Sequence, residues 1–129
     1  MHTNYEQALA QKIWAVVGVS ENQESFACKI YKQLQSAGYT VYAVNPRLKE
    51  LFGETCYASL SALPERPDAV SVVVRPEIGI NVVQEAANLG IPYLWLQPGA
   101  NAPEVISRGG ELGLKVIGDA CLLVALREL

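Results

Sequence analysis

Residues 12–44 run strand, glycine, helix, glycine, strand, and few folds accept that order. Ile13 to Val17 is an apolar run rich in β-branched residues and too short for a helix. It breaks at Gly18. Polar residues follow from Ser20 to Ser25, and then a helical period begins. Phe26, Ile30, Leu34 and Ala37 share one face, while Lys29, Lys32, Gln33 and Gln35 share the other. Gly38 stands where a helix of this kind stops, and Thr40 to Val44 is a second apolar run. Parallel strands joined by a crossover helix satisfy this order. The turn at Gly18 then presents bare N–H groups and the positive end of a helix to the sheet edge, a place for an anion and most often a phosphate.

The same alternation continues. Residues 4–11 read as a short leading helix, with strands expected at 12–17, 40–44 and 68–74 and helices at 25–37 and from Pro76 to Gly90. Residues 48–53 read as a loop or a single helical turn, 55–57 as a short edge strand, and 61–65 as another helical turn. Ile91 to Leu96 and Leu114 to Ile117 complete the strands. Pro103 opens a helix that Gly113 stops, and Asp119 is expected to cap a last helix over 120–128. Asp68 to Val74 is apolar almost throughout, as a strand covered on both faces should be. The expected fold is therefore α/β: a single-domain, doubly wound (Rossmann-like) parallel sheet with strand order 3-2-1-4-5-6.

Size and charge narrow the function. A chain of 129 residues, half of them apolar, fills one domain and leaves no room for a separate catalytic one. A net charge of −3 with 10 basic residues argues against a nucleic-acid surface, although a few local cations can serve a small anion. No apolar run has the length of a membrane span, and the first residues lack the pattern of a signal peptide. The three cysteines, Cys28, Cys56 and Cys121, lack metal-site spacing and read as reduced cytoplasmic thiols. The one histidine, His2, sits at a terminus with no Ser–His–acid set to join, so no catalytic or metal site is expected.

In the expected order, ligands bind at the carboxyl ends of the strands beside the switch point. Four segments converge there: Gly18, Val19 and Ser20; Asn45, Pro46 and Arg47; Val74, Arg75 and Pro76; Gln97, Pro98 and Gly99. The first is not G-x-G-x-x-G, since Ser20 and Gln23 replace its later glycines. Ser20 and Ser25 offer hydroxyls instead, and Lys29 lies one turn beyond Ser25. After the second strand, where a dinucleotide fold usually carries an acid for the ribose, this chain has Asn45-Pro46-Arg47. Arg47 suits a ribose bearing a phosphate, which fits NADP and coenzyme A alike. Tyr93, Trp95 and Val83 read as core, and Cys121 reads as a small buried residue near a helix start, with Asp119 opposing any fall in its pKa.

Gly18-Val-Ser20, Gly38-Tyr39, Val44-Asn-Pro46, Gly53, Val74-Arg-Pro-Glu77, Trp95-Leu-Gln-Pro-Gly99 and Gly118-Asp-Ala-Cys121 together resemble the small stand-alone CoA-binding proteins. These are similar to the N-terminal domain of the succinyl-CoA synthetase alpha subunit. The resemblance covers about residues 12–125. It implies coenzyme A or an acyl-CoA as ligand, held by Gly18, Ser20, Ser25, Pro46, Arg47, Arg75, Pro76, Ile80 and Gly99. It implies no catalysis, because the synthetase's phosphorylated histidine belongs to a domain that has no counterpart in these residues. The alternatives are an NADP-linked oxidoreductase and a nucleotide-sensing interaction module. A receiver domain is disfavoured, since Val16-Val17-Gly18 lacks the paired acids it needs. The final helix, apolar on more than one side at Leu122, Leu123, Val124 and Leu126, points to packing on another element or a homo-oligomer.

Overall fold

The structure, a computed structural model, describes residues 3–129; His2 lies outside them. Helix α1 (Thr3–Leu9) precedes β1 (Ile13–Val17), α2 (Phe26–Ser36) and β2 (Thr40–Val44). The chain continues through β3 (Glu50–Leu51), β4 (Glu54–Tyr57), a 3₁₀ turn (Leu60–Ala62) and β5 (Ala69–Val72). It ends with α3 (Pro76–Asn88), β6 (Tyr93–Leu96), α4 (Pro103–Glu111), β7 (Lys115–Ile117) and α5 (Leu122–Arg127).

The sheet order is β3-β4-β2-β1-β5-β6-β7, parallel except for β3. Leaving out β3, this is the expected 3-2-1-4-5-6. The difference lies in 48–53, expected as a loop or helical turn. Glu50 and Leu51 instead fold back antiparallel on Glu54 and Thr55. The reversal runs through Phe52 and Gly53, both with positive φ, 52° and 82°. Two such residues make the tight turn whose twist suits a hairpin. The strand near Cys56 is therefore interior, and β3 is the edge.

Local chemistry sets the helix ends. Ser25 is extended, and its hydroxyl accepts from the Cys28 N–H at 3.3 Å, capping α2. At the other end Gly38 takes φ 92° while the Tyr39 N–H reaches back to the Leu34 carbonyl. That bond satisfies an orphan carbonyl and turns the chain straight into β2. The same exit recurs after α3 (Ile91 N–H to Ala86) and α4 (Leu114 N–H to Gly109). The buried face of α2 is Ala27, Cys28, Ile30, Tyr31 and Leu34. Phe26, expected on that face, occupies the first helical position and is 60% exposed, and Ala37 is exposed too.

Alternate residues of each strand feed two cores. Trp14, Val16 and Trp95 pack beneath α1, α2 and α5; Ala15, Val70, Val72 and Leu94 pack beneath α3 and α4. Trp14 and Trp95 are fully buried with ring centroids 6.4 Å apart. Each contributes more than the about 1.5–3 kcal/mol typical of a buried leucine. Their indole N–H groups donate to the Gln11 and Ala120 carbonyls. Val83 and Tyr93 are core residues as expected. The apolar breadth of α5 is taken up within the chain: Leu122, Leu123, Ala125 and Leu126 are buried and Val124 alone of its apolar residues is exposed. Its cap is Cys121, not Asp119, and the helix starts at Leu122.

Candidate functional site

Register brings the site together. Val17 lies level with Val44 on one side and Val72 on the other, and Val72 lies level with Leu96. The central strands thus end flush, and their loops leave from one line. Between the β1 and β2 ends and the start of α3 lies a cleft of about 410 Å³, a volume that suits a small ligand. Its floor and walls are Val17 to Ser20, Val44 to Arg47, and Val74, Arg75 and Ile78. A smaller hollow of about 220 Å³ adjoins it and shares Val74 and Arg75 with it; Pro98 and Gly99 line this one.

Gly18 has φ 115° and donates its N–H to the Val44 carbonyl. A Cβ there would overlap the Val73 carbonyl oxygen and sit 2.9 Å from its carbon. The glycine is thus required first by the neighbouring strand's backbone. A side chain there would collide inside the protein before it reached any ligand. Val19 is fully buried in the core under α2, so it contributes to the cleft mainly through its backbone. The Ser20 hydroxyl accepts from the Asn22 N–H at 3.2 Å and lines the cleft. Ser25 spends its acceptor on capping, and neither it nor the exposed Lys29 lines the cleft.

Asn45 joins the two rims. Its Nδ2 donates to the Val19 carbonyl at 2.7 Å, and its Oδ1 accepts from the Arg47 N–H at 2.7 Å. Two thiols back these loops: Cys28 donates to the Ser20 carbonyl at 2.9 Å and Cys56 to that of Asn45 at 3.9 Å. Burial pushes the Cys56 thiol up, against the opposing backbone hydrogen bonds at Asn45 and Tyr57. Arg47 and Arg75 both line the cleft and are exposed. Among the described residues the one ion pair is Arg108–Glu111, so neither cleft arginine has a carboxylate partner. Two free guanidiniums beside a glycine turn favour an anion with several oxygens.

Three more expected site residues belong elsewhere. Pro76 starts α3, where its fixed φ and missing N–H fit the first helical position. Ile80 packs against the core beneath α3, and Ile78, 45% exposed, faces the cleft in its place. Gln97 is 3% exposed and turned away from the cleft. Its Oε1 accepts from the Leu122 N–H at 2.6 Å and its Nε2 reaches Cys121 Sγ at 3.3 Å. Sequence reasoning missed Val17, Val44 and Ile78. For Ile78 a signal existed, an apolar residue next to Glu77 on the otherwise polar side of α3.

Cys121 is half-buried rather than the small buried residue expected. Burial alone would raise its thiol. The Gln97 hydrogen bond, the backbone at Val124 and Leu123, and the Arg127 charge together outweigh burial and hold the thiol below its usual value. A further hollow of about 520 Å³ lies on the outer side of α3. No cation lines it, and its Glu85 carboxylate is occupied by the Leu60 and Ser61 N–H groups and the Ser61 hydroxyl.

The model of a family described as CoA binding domain matches residues 12–127. An uncharacterized protein, YneT of Bacillus subtilis, is 33% identical over 86% of this chain and 82% of its own length. An ADP-forming acetate–CoA ligase of Archaeoglobus fulgidus is 28% identical over 91% of this chain, which spans 18% of the ligase. Among solved structures, a conserved hypothetical protein of Pyrococcus furiosus superposes with a TM-score of 0.83 at 35% identity, covering 88% of this chain and 98% of that one. A hypothetical protein from Pyrococcus horikoshii gives 0.90 at 29% identity, covering 98% and 89%. Matched over residues 12–127, nearly its whole length, the chain belongs to the CoA-binding domain family.

Proposed function

We propose that the chain binds coenzyme A or an acyl-CoA with the 3′-phospho-ADP end in the cleft, and that it carries out no chemistry on the ligand. The observation that carries this is the pair of unpaired arginines over the glycine turn, with Arg47 where a dinucleotide fold keeps an acid. Arg47 reads the 3′-phosphate; Arg75 and the loop N–H groups take the pyrophosphate; Ile78, Val17 and Val44 supply apolar contact. The side chains around the cleft are aliphatic, hydroxyl, amide and guanidinium groups, which supports binding without a general acid or base. Free thiols at all three cysteines support a reducing, cytoplasmic setting. No described helix is long and apolar enough to cross a membrane.

NADP presents a phosphorylated ribose too, and the family match favours CoA over it. Thermal melts with each ligand at equal concentration decide between them. At ~100 times its dissociation constant a ligand adds roughly 2.7 kcal/mol, so CoA should give the larger shift; a larger shift with NADP overturns the reading. Arg47→Ala should weaken CoA roughly tenfold, the low end for a charge-assisted contact open to solvent, and should leave dephospho-CoA nearly unchanged. An isothermal titration in which both ligands weaken equally would remove Arg47 from the 3′-phosphate. Acetyl-CoA incubated with the protein should lose its thioester no faster than in buffer.

A further inference from the structure

We propose that Asn45 is a positioning residue, which sets the cleft's preference for a 3′-phosphate from behind by fixing the backbone of Arg47. This rests on the reading that CoA occupies the cleft with that phosphate at Arg47.

Every polar atom of Asn45 has a protein partner. Its N–H donates to the Tyr57 carbonyl at 2.9 Å, and its own carbonyl accepts from the Leu48 N–H at 3.3 Å. The carboxamide is divided between the two rims. Oδ1 closes a ring with the N–H two residues on, at Arg47, and Nδ2 holds the Val19 carbonyl across the cleft. The first of these is an Asx turn. Its central residue is Pro46, whose ring fixes φ. With both ends of the turn pinned, the Cα–Cβ direction of Arg47 is set, although its side chain remains free and exposed. A long flexible side chain aimed this way loses less freedom on meeting a phosphate than one on a mobile loop.

The second bond acts on the other rim. With the Val19 carbonyl held toward Asn45, the trans peptide turns the Ser20 N–H the opposite way. The Asn45 side chain thus fixes the spacing of the rims beyond the Gly18 N–H bond to Val44. The two jobs require a donor and an acceptor in one short group. Aspartate supplies only acceptors and would set a charge against the Val19 carbonyl and cancel Arg47. Alanine supplies neither. Serine supplies a short hydroxyl that still closes the turn to the N–H two residues on, but it does not span the cleft to Val19.

The test titrates wild type, Asn45→Ala and Asn45→Ser, each with and without Arg47→Ala, with CoA and with dephospho-CoA. Wild type should prefer CoA about tenfold. Asn45→Ala should reduce that preference to about twofold or less. Asn45→Ser should keep the preference while both ligands weaken together. On the Arg47→Ala background, Asn45→Ala should leave the preference unchanged, since the two residues act in series. Amide exchange in the ligand-free wild type is a second measure that needs no variant to fold: the Arg47 N–H should be protected. A folded Asn45→Ala that keeps the full preference, an Asn45→Ser that loses it, or an unprotected Arg47 N–H would overturn the proposal alone. Wild type that binds neither nucleotide would bring down the function reading and this proposal with it.

Discussion

Two carboxamides end two parallel strands, and they do opposite work. Asn45 follows β2 and Gln97 follows β6. Each accepts a backbone N–H, at 2.7 and 2.6 Å, and each uses its NH₂ on a second partner. The half-buried Asn45 is short, and its bonds stay among the loops that form the cleft. Gln97 is one methylene longer and buried, and it reaches the start of α5 and Cys121. The same group at the same strand position thus joins the two rims of a cleft in one half of the sheet and anchors a helix in the other. Chain position alone does not assign such a residue; the partner of its oxygen does.

The largest effect comes from filling the space beside Gly18, at the end of β1 opposite the Asn45 rim. Gly18→Ala forces a positive φ on a residue with a Cβ and drives that Cβ into the Val73 carbonyl. Strain of about 1–3 kcal/mol and overpacking of about 1–3 kcal/mol add to a loss of roughly 2–6 kcal/mol. Chemical denaturation should show this without any ligand present. A variant as stable as wild type would mean the glycine serves only the ligand.

Gln97→Leu sharpens the contrast from the other side. It strands the Leu122 N–H and should cost about 1–3 kcal/mol. Its affinity for CoA should change less than twofold, whereas Asn45→Ala changes selectivity. A Gln97→Leu protein that melts like wild type but binds CoA poorly would reverse the assignment of the two amides.

The smallest effect is in titration. Because the fold holds the Cys121 thiol below its usual value, its thiolate forms at lower pH than that of an ordinary cysteine. The stability it adds is present above the ordinary thiol pKa and is lost as pH falls through the lowered one. Cys56, pushed up by burial, behaves in the opposite sense: its contribution is present below the ordinary value and fades as pH rises through the raised one. Iodoacetamide with peptide mapping should therefore label Cys121 well before Cys56 at neutral pH. In Gln97→Leu the midpoint for Cys121 should move up, because one of its hydrogen bonds is gone. Equal labelling of both thiols in the folded protein would refute this.

Much of the fold was legible because it rests on local rules. Glycine after a helical period, and proline at a helix start, placed α2, α3 and α4 within a residue or two. β3 was not legible: two residues cannot show a period, and Phe52 with positive φ breaks the usual preference for glycine or asparagine there. The glycine turn and Arg47 were readable from position along the chain. Ile78 against Ile80 was legible only in part: both are apolar, and the one signal was that Ile78 stands on the polar side of α3. Which of them faces the sheet depends on how α3 lies, and that is set by packing of Val82, Val83 and Ala86. Gln97 was misassigned because its partner, the Leu122 N–H, is 25 residues away.

The hairpin at Phe52 and Gly53 also governs how this molecule meets others of its kind. An open parallel sheet ends in two rows of unsatisfied backbone groups, each a template for a foreign strand. Here one border is the two-residue β3, which begins with a charged glutamate, and the other is the three-residue β7, which begins with a lysine. Neither offers length enough for an extended segment to zip onto. Fibril growth by strand addition therefore has little to start from in the folded state.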